Sequence, residues 1–257
     1  MDSQFGDLHA MPNSVGQGDA GPRPQFGALP AADWEDADRA FSNEEVHALA
    51  LASLRSESET VHCVSQWLRQ ERAIEDLYLC AITLAARLLG QWWVSDRIRF
   101  SDVTVGSSRL HRLLYDLSPL FLADKVAPRD ATVLLLAEPG SQHTMGMFML
   151  SEFFKRDGWH TLVEQAQSAL DATRLVTHHW VDLVAVSVSS DRQFEALRTW
   201  VQSVRMQSPN RQLQIVAGGP MAQLMPEALL ELGVDWVGTD AKTTLEQANR
   251  IIYQKNQ

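Results

Sequence analysis

The sequence predicts a helix bundle followed by a doubly wound α/β domain built on a parallel sheet. Two observations carry this. Between about residues 42 and 120, apolar residues recur at three-and-four spacing in four segments with short connections. After Pro128 the pattern becomes short, continuously apolar runs that alternate five times with helix-like segments, as in a sheet covered on both faces.

A stretch of different composition precedes both. Residues 1–41 hold five of the 14 glycines, four of the 10 prolines, and seven acidic residues against two arginines. No apolar periodicity runs through residues 13–30, so residues 1–41 read as a flexible acidic arm. Helical patterning starts at Ser42, where Ser42 and Glu45 fit a capping box. Val46, Leu49, Leu51 and Leu54 form the first apolar face, and Val61, Val64, Trp67 and Leu68 the second, over residues 58–70. Residues 73–93 are apolar on so many sides that the third helix must be buried, as in a bundle. Residues 102–117 form the fourth helix, through Val103, Leu110, Leu113 and Leu114. The bundle is assigned to residues 42–125.

Residues 126–257 form the α/β domain. Its strands are expected at 131–137, 159–163, 181–189, 213–217 and 234–237. Its helices are expected at 145–156, 168–177, 192–206, 221–232 and 243–253.

Composition limits the function. A net charge of -10 is a poor match for a phosphate backbone, which needs a basic footprint. Two cysteines, Cys63 and Cys80, exclude a disulfide framework and a multi-cysteine metal or iron–sulfur site. No basic start with an apolar run, and no stretch of about 18 uninterrupted apolar residues, is present; a cytoplasmic protein without membrane contact is expected.

In a parallel α/β sheet, ligands bind outside the carboxyl ends of the strands. Three features fall at that edge. The loop after the first strand carries Ser141, Gln142, His143, Thr144 and, as the next helix begins, Gly146. The third strand ends in Ser187 and Ser189, and the fourth in Gly218-Gly219. Taken singly, each has a plain structural reading: a helix-capping histidine, strand-end serines, a tight glycine turn.

Taken in order, they resemble the cobalamin (vitamin B12)-binding domain family. That family carries Asp-x-His-x-x-Gly after the first strand, a serine element at the third and Gly-Gly at the fourth. Leu89-Gly90-Gln91-Trp92-Trp93 looks like the Leu-Gly-x-x-Trp element of its helical module. The resemblance covers about residues 60–255 and implies a Rossmann-like B12-binding domain behind a four-helix bundle. It implies a corrinoid between bundle and sheet, with His143 ligating cobalt from below. Ser187 would contact the nucleotide tail, Gly218 and Gly219 would leave it room, Ser189 would be a further ligand contact, and Trp93 would cover the upper face.

Two departures narrow the function. Ser141 stands where the family has the Asp that orients the ligating histidine. This argues against methyl transfer or mutase chemistry, and so against an enzyme. Light receptors that use adenosylcobalamin carry a Glu-His pair in the bundle, where this chain has Val103 and Thr104. The upper position then lacks its usual donor, and His9 of the acidic arm is a candidate for it, with hydroxo- or aquocobalamin as the bound form. Residues 102–114 and 140–144 look most like the AerR/PpaA antirepressor family of purple photosynthetic bacteria. That resemblance implies a light-responsive regulator of photosynthesis genes. Its partner would be a repressor of the CrtJ/PpsR type, with DNA met only through that repressor. The rivals are a corrinoid carrier of a methyltransferase system and a haem-binding redox sensor of the same fold.

Overall fold

The computed structural model describes residues 40–137, 145–165 and 169–254. The expected capping box starts helix α1 (Asn43–Arg55): Ser42 Oγ accepts the Glu45 N–H at 3.2 Å, and the Glu45 carboxylate accepts the Ser42 N–H at 2.9 Å. Ser56 caps α2 (Glu57–Arg69) in turn, its Oγ accepting the Glu59 N–H at 3.1 Å. Helix α3 (Ile74–Val94) contains a π-helical stretch, Leu77–Ile82, that periodicity does not reveal. Within it, the buried Tyr78 ring stacks on Phe121 at 4.5 Å and its hydroxyl donates to the Leu114 carbonyl at 3.1 Å. Burial and the nearby Glu152 carboxylate push the Tyr78 phenol well above its usual range.

Helix α4 (Phe100–Phe121) extends past the predicted residues 102–117 at both ends. At its start, the Asp102 carboxylate accepts the Arg99 N–H at 3.0 Å. At its end, Phe121 is part of the core. Gly106 lets α4 close on its neighbours: a Cβ there would stand 2.9 Å from Leu89 Cδ1 and 3.2 Å from Leu54 Cδ2. By length and composition α3 is apolar enough to cross a membrane, with a mean hydropathy of 1.3. Its Leu77, Tyr78, Ala81, Ile82, Ala85 and Leu89 are instead fully buried in the bundle core.

The second half alternates as expected: β1 (Thr132–Ala137), α5 (Met145–Arg156), β2 (His160–Gln165), α6 (Ala169–His178), β3 (Leu183–Ser187), α7 (Phe194–Gln207), β4 (Gln214–Gly218), α8 (Pro220–Leu224), α9 (Pro226–Glu231), β5 (Trp236–Val237) and α10 (Ala241–Gln254). All pairings are parallel and the strand order is β2-β1-β3-β4-β5. The predicted helix over 221–232 is in fact two, because Pro226 removes an N–H and disfavours helical geometry at Met225 (φ -142°, ψ 56°). Strand β3 is shorter than the predicted 181–189, although Asp182 and Val188, just outside its two ends, still donate to the Thr132 and Gly218 carbonyls at 2.9 Å.

Alternate strand residues face opposite layers. Val133 and Leu135 pack with Met147, Phe154 and Ala248 of α5 and α10. Leu134 and Leu136 pack with Val176, Trp200, Val204 and Leu229 of α6, α7 and α9. The bundle docks on the outside of α5 and α10, so that Met149, Phe153 and Ala241 join its core. Arg156 bridges to Glu75 at 2.8 Å across this junction, and Lys242 to the same carboxylate at 3.5 Å.

Helices α4 and α5 run in the same direction. Tyr115 meets Phe148 at 4.2 Å, Ser118 donates to Glu152, and Phe121 meets Phe153 at 4.9 Å. Earlier residues of α4 therefore lie at and beyond the N-terminus of α5, which is the carboxyl edge of the sheet.

Candidate functional site

The strand order reverses between β1 and β3. The chain leaves β1 towards α5 on one face of the sheet and leaves β3 towards α7 on the other. Such a switch point opens a crevice at the carboxyl ends of the two strands, where α/β proteins bind ligands.

Ser141, Gln142, His143 and Thr144 lie outside the described residues, as does His9. The described residues on either side of 138–144, Ala137 at the carboxyl end of β1 and Met145 at the N-terminus of α5, lie at this crevice. Gly146, in the first turn of α5, is exposed, and a Cβ there would meet nothing within 4 Å.

Ser187 ends β3 directly opposite Gly218 of β4. Beyond them, Val188 donates its N–H to the Gly218 carbonyl at 2.9 Å and accepts the Met221 N–H at 3.2 Å. The two glycines have different tasks. Gly219 has φ +88° and ψ -172°, a backbone state essentially reserved for glycine. A Cβ on it would stand 2.8 Å from the Val188 oxygen and 2.9 Å from Ser187 Oγ. Gly219 thus holds the β3 and β4 ends together. A Cβ on Gly218 would find only the Gly238 oxygen, at 3.8 Å, so this position leaves room. The Ser189 N–H donates to Gln193 Oε1 at 3.1 Å, which fixes the turn after β3.

Trp93 is half-buried near the end of α3 and tilts onto Phe100 at 5.6 Å. Phe100 is 59% exposed, Val94 48% and Val105 46%, so this end of the bundle presents an apolar surface. Phe100 and Val105 belong to the first turns of α4, beyond the N-terminus of α5. Sequence reading missed Phe100 because it precedes the predicted start of the fourth helix. On α3, burial lowers the Arg87 guanidinium from its ordinary value, against the opposing charge of Asp240 at the start of α10.

Among the described residues, no group of three or more His, Cys, Asp or Glu side chains could hold a bare metal ion. A metal already ringed by a macrocycle needs only axial donors from the protein. An open backbone position at Gly218 and an exposed apolar bundle end are what a large flat cofactor with a tail requires. The residues present therefore fit a corrinoid.

Residues 131–248 match the family model described as the B12 binding domain. A Rhodobacter capsulatus protein, described as an uncharacterized 20.5 kDa protein in the bchF-crtJ intergenic region, is 32% identical over 175 residues, covering 68% of this chain and 91% of the relative. Among solved structures, the monomethylamine corrinoid protein of Methanosarcina barkeri aligns with a TM-score of 0.70 at 13% identity, over 82% of this chain and 100% of its own. That likeness shows the fold.

Proposed function

The chain belongs to the B12-binding domain family, and from that premise we propose that it is a cobalamin-binding, light-responsive antirepressor of photosynthesis genes. The observation that carries the finer reading is the 32% identical relative from the bchF-crtJ interval. It supports a partner repressor of the CrtJ/PpsR type, reached as a protein and not through bare DNA. The charge of -10 agrees with that choice.

On this reading His143 would hold the cobalt, and Ser141, Gln142, Thr144 and Gly146 would help to bind the cofactor. Neutral imidazole is a fitting donor for an intermediate transition metal. Ser187 would contact the nucleotide tail and Ser189 another part of the cofactor; Gly218 would leave the tail room, and Gly219 fixes the strand ends. Trp93 covers the other face, now joined by Phe100. His9 would hold the cobalt in one state. When bound, the cofactor would supply visible absorption and an exchangeable bond at its metal; the chain supplies the pocket and the response. Ser141 in place of a carboxylate counts against turnover as a methyl carrier, and the protein itself is read as a sensor and not an enzyme.

The test is to load the purified protein with hydroxocobalamin and record spectra before and after illumination. Retention of a CrtJ-type repressor on its DNA is then measured in the dark and in light. Light-dependent release of the repressor, and loss of corrinoid uptake in His143→Ala, are expected. Uptake and colour unchanged in His143→Ala would overturn the site. Uptake of hemin alone, or turnover with a methyl donor, would favour the rival readings.

A further inference from the structure

His111 has a feature that packing alone does not account for. Its Nε2 is buried and has no hydrogen-bond partner among the described residues. Buried polar groups in folded proteins are almost always paired, and each exception calls for a reason. Ring contacts place the side chain that carries this nitrogen beside the crevice.

The ring is held on two sides. Tyr115 stacks on it at 5.0 Å and 27°, and Phe148 meets it edge-on at 5.9 Å and 65°. Phe148 is in the first turn of α5, whose first residue, Met145, follows the segment carrying His143. The two helices run parallel, so His111 stands on α4 level with the start of α5. The exposed apolar end formed by Trp93, Phe100 and Val105 lies further along the same direction. Burial lowers the imidazole's basicity, so the ring is neutral near pH 7 and offers a hydrogen bond without a charge.

We infer that His111 is a cofactor-contacting residue of the bundle, its Nε2 meeting an amide side chain on the rim of the bound corrinoid. The inference rests on the corrinoid reading and adds a residue to it. An uncharged imidazole suits a neutral amide, which can complete either of its tautomers. It also explains why a polar ring is kept in an aromatic slot that phenylalanine would fill.

The experiment compares the full-length protein with His111→Phe and His111→Gln. Thermal unfolding is measured without ligand, and hydroxocobalamin affinity is measured by spectrophotometric titration. His111→Phe is expected to unfold at the same or a higher temperature than the parent, since it removes an unpaired buried nitrogen. It should bind hydroxocobalamin about tenfold more weakly, with its visible bands unmoved. His111→Gln should recover most of the affinity. Equal affinity in parent and His111→Phe would overturn the inference, as would ligand-free destabilisation of His111→Phe, which would make the ring a packing residue. Displaced visible bands in His111→Phe would also overturn it, by making the ring a cobalt ligand and not an amide partner. If the parent takes up no hydroxocobalamin, the corrinoid reading itself fails, and that outcome is separate from the others.

Discussion

Gly218 and Gly219 are adjacent and identical, yet they should fail in opposite ways when replaced by alanine. In Gly219→Ala the new residue must hold φ +88° and ψ -172°, which costs about 1–3 kcal/mol in backbone strain alone. Its Cβ would also stand 2.8 Å from the Val188 oxygen and 3.0 Å from the Val188 nitrogen, both backbone atoms that hold the β3–β4 junction. Together these give a loss of about 3 kcal/mol, or a fall in Tm of about 6–12 °C. In Gly218→Ala the nearest atom is the Gly238 oxygen at 3.8 Å, an ordinary contact. Reduced freedom of the unfolded chain then makes the variant as stable as the parent or about 0.4–1 kcal/mol more stable. The added methyl occupies the space read as the path of the nucleotide tail. Affinity for hydroxocobalamin should therefore fall at least about tenfold, or about 1.4 kcal/mol. Thermal unfolding without ligand and spectrophotometric titration with it separate the two effects. A Gly219→Ala variant as stable as the parent would refute the geometric account. A Gly218→Ala variant with parental affinity would show that the tail passes elsewhere.

Three further outcomes are expected. Gly106→Val places a branched side chain against Leu89 Cδ1 and Leu54 Cδ2, and should cost about 2–3 kcal/mol in chemical denaturation. Asp182 accepts the Thr132 N–H at 2.8 Å and the Trp180 Nε1–H at 3.0 Å at the amino end of the sheet, away from the crevice. Asp182→Ala should lose about 2 kcal/mol of stability while leaving the absorption spectrum of the hydroxocobalamin-loaded protein unchanged. Burial holds the His111 imidazole below its ordinary 6.5, so between the lowered value and 6.5 the unfolded chain binds a proton that the folded one refuses. Stability should be fully present above pH 6.5 and fall as pH drops through that window, and denaturation series at several pH values should show a shallower fall in His111→Phe.

The fold class was legible because its signals are local. Runs such as Val133 to Leu136 are apolar at every position, which only a strand covered on both faces tolerates. Ser42 and Glu45 mark the bundle's start by a contact three residues long. The break at Pro226 was also open to reading, through the constraint proline places on Met225, and the periodicity of 221–232 concealed it. Other features depend on distant parts of the chain. The β2-β1-β3-β4-β5 order follows from the faces on which α5 and α7 pack, and no single segment encodes it. The unequal roles of Gly218 and Gly219 follow from a dihedral angle and from Val188, 31 positions before Gly219. His111 reads from sequence as a surface or packing residue, because nothing near it in the chain announces that Phe148 will close over it.

A ligand biases two states of a protein only by interacting unequally with them. Here the groups able to feel a cofactor in the crevice are also those that join bundle to sheet. Phe148 touches both His111 and Tyr115 of α4, and one turn further on Glu152 accepts from Ser118 of the same helix. The Glu152 side chain is only 1% exposed, so this contact cannot be exchanged cheaply for water. A displacement at the N-terminus of α5 must therefore carry α4 with it or break a buried polar contact. On the proposed reading, a changed bond at His143 would be felt along α4 before it reached the outer faces of α1 and α2. A partner repressor that senses the cofactor's state should accordingly dock against the bundle and not against the α6–α7 side of the sheet. Substitutions confined to exposed positions of α7, such as Thr199 and Gln202, should leave repressor binding intact in dark and light.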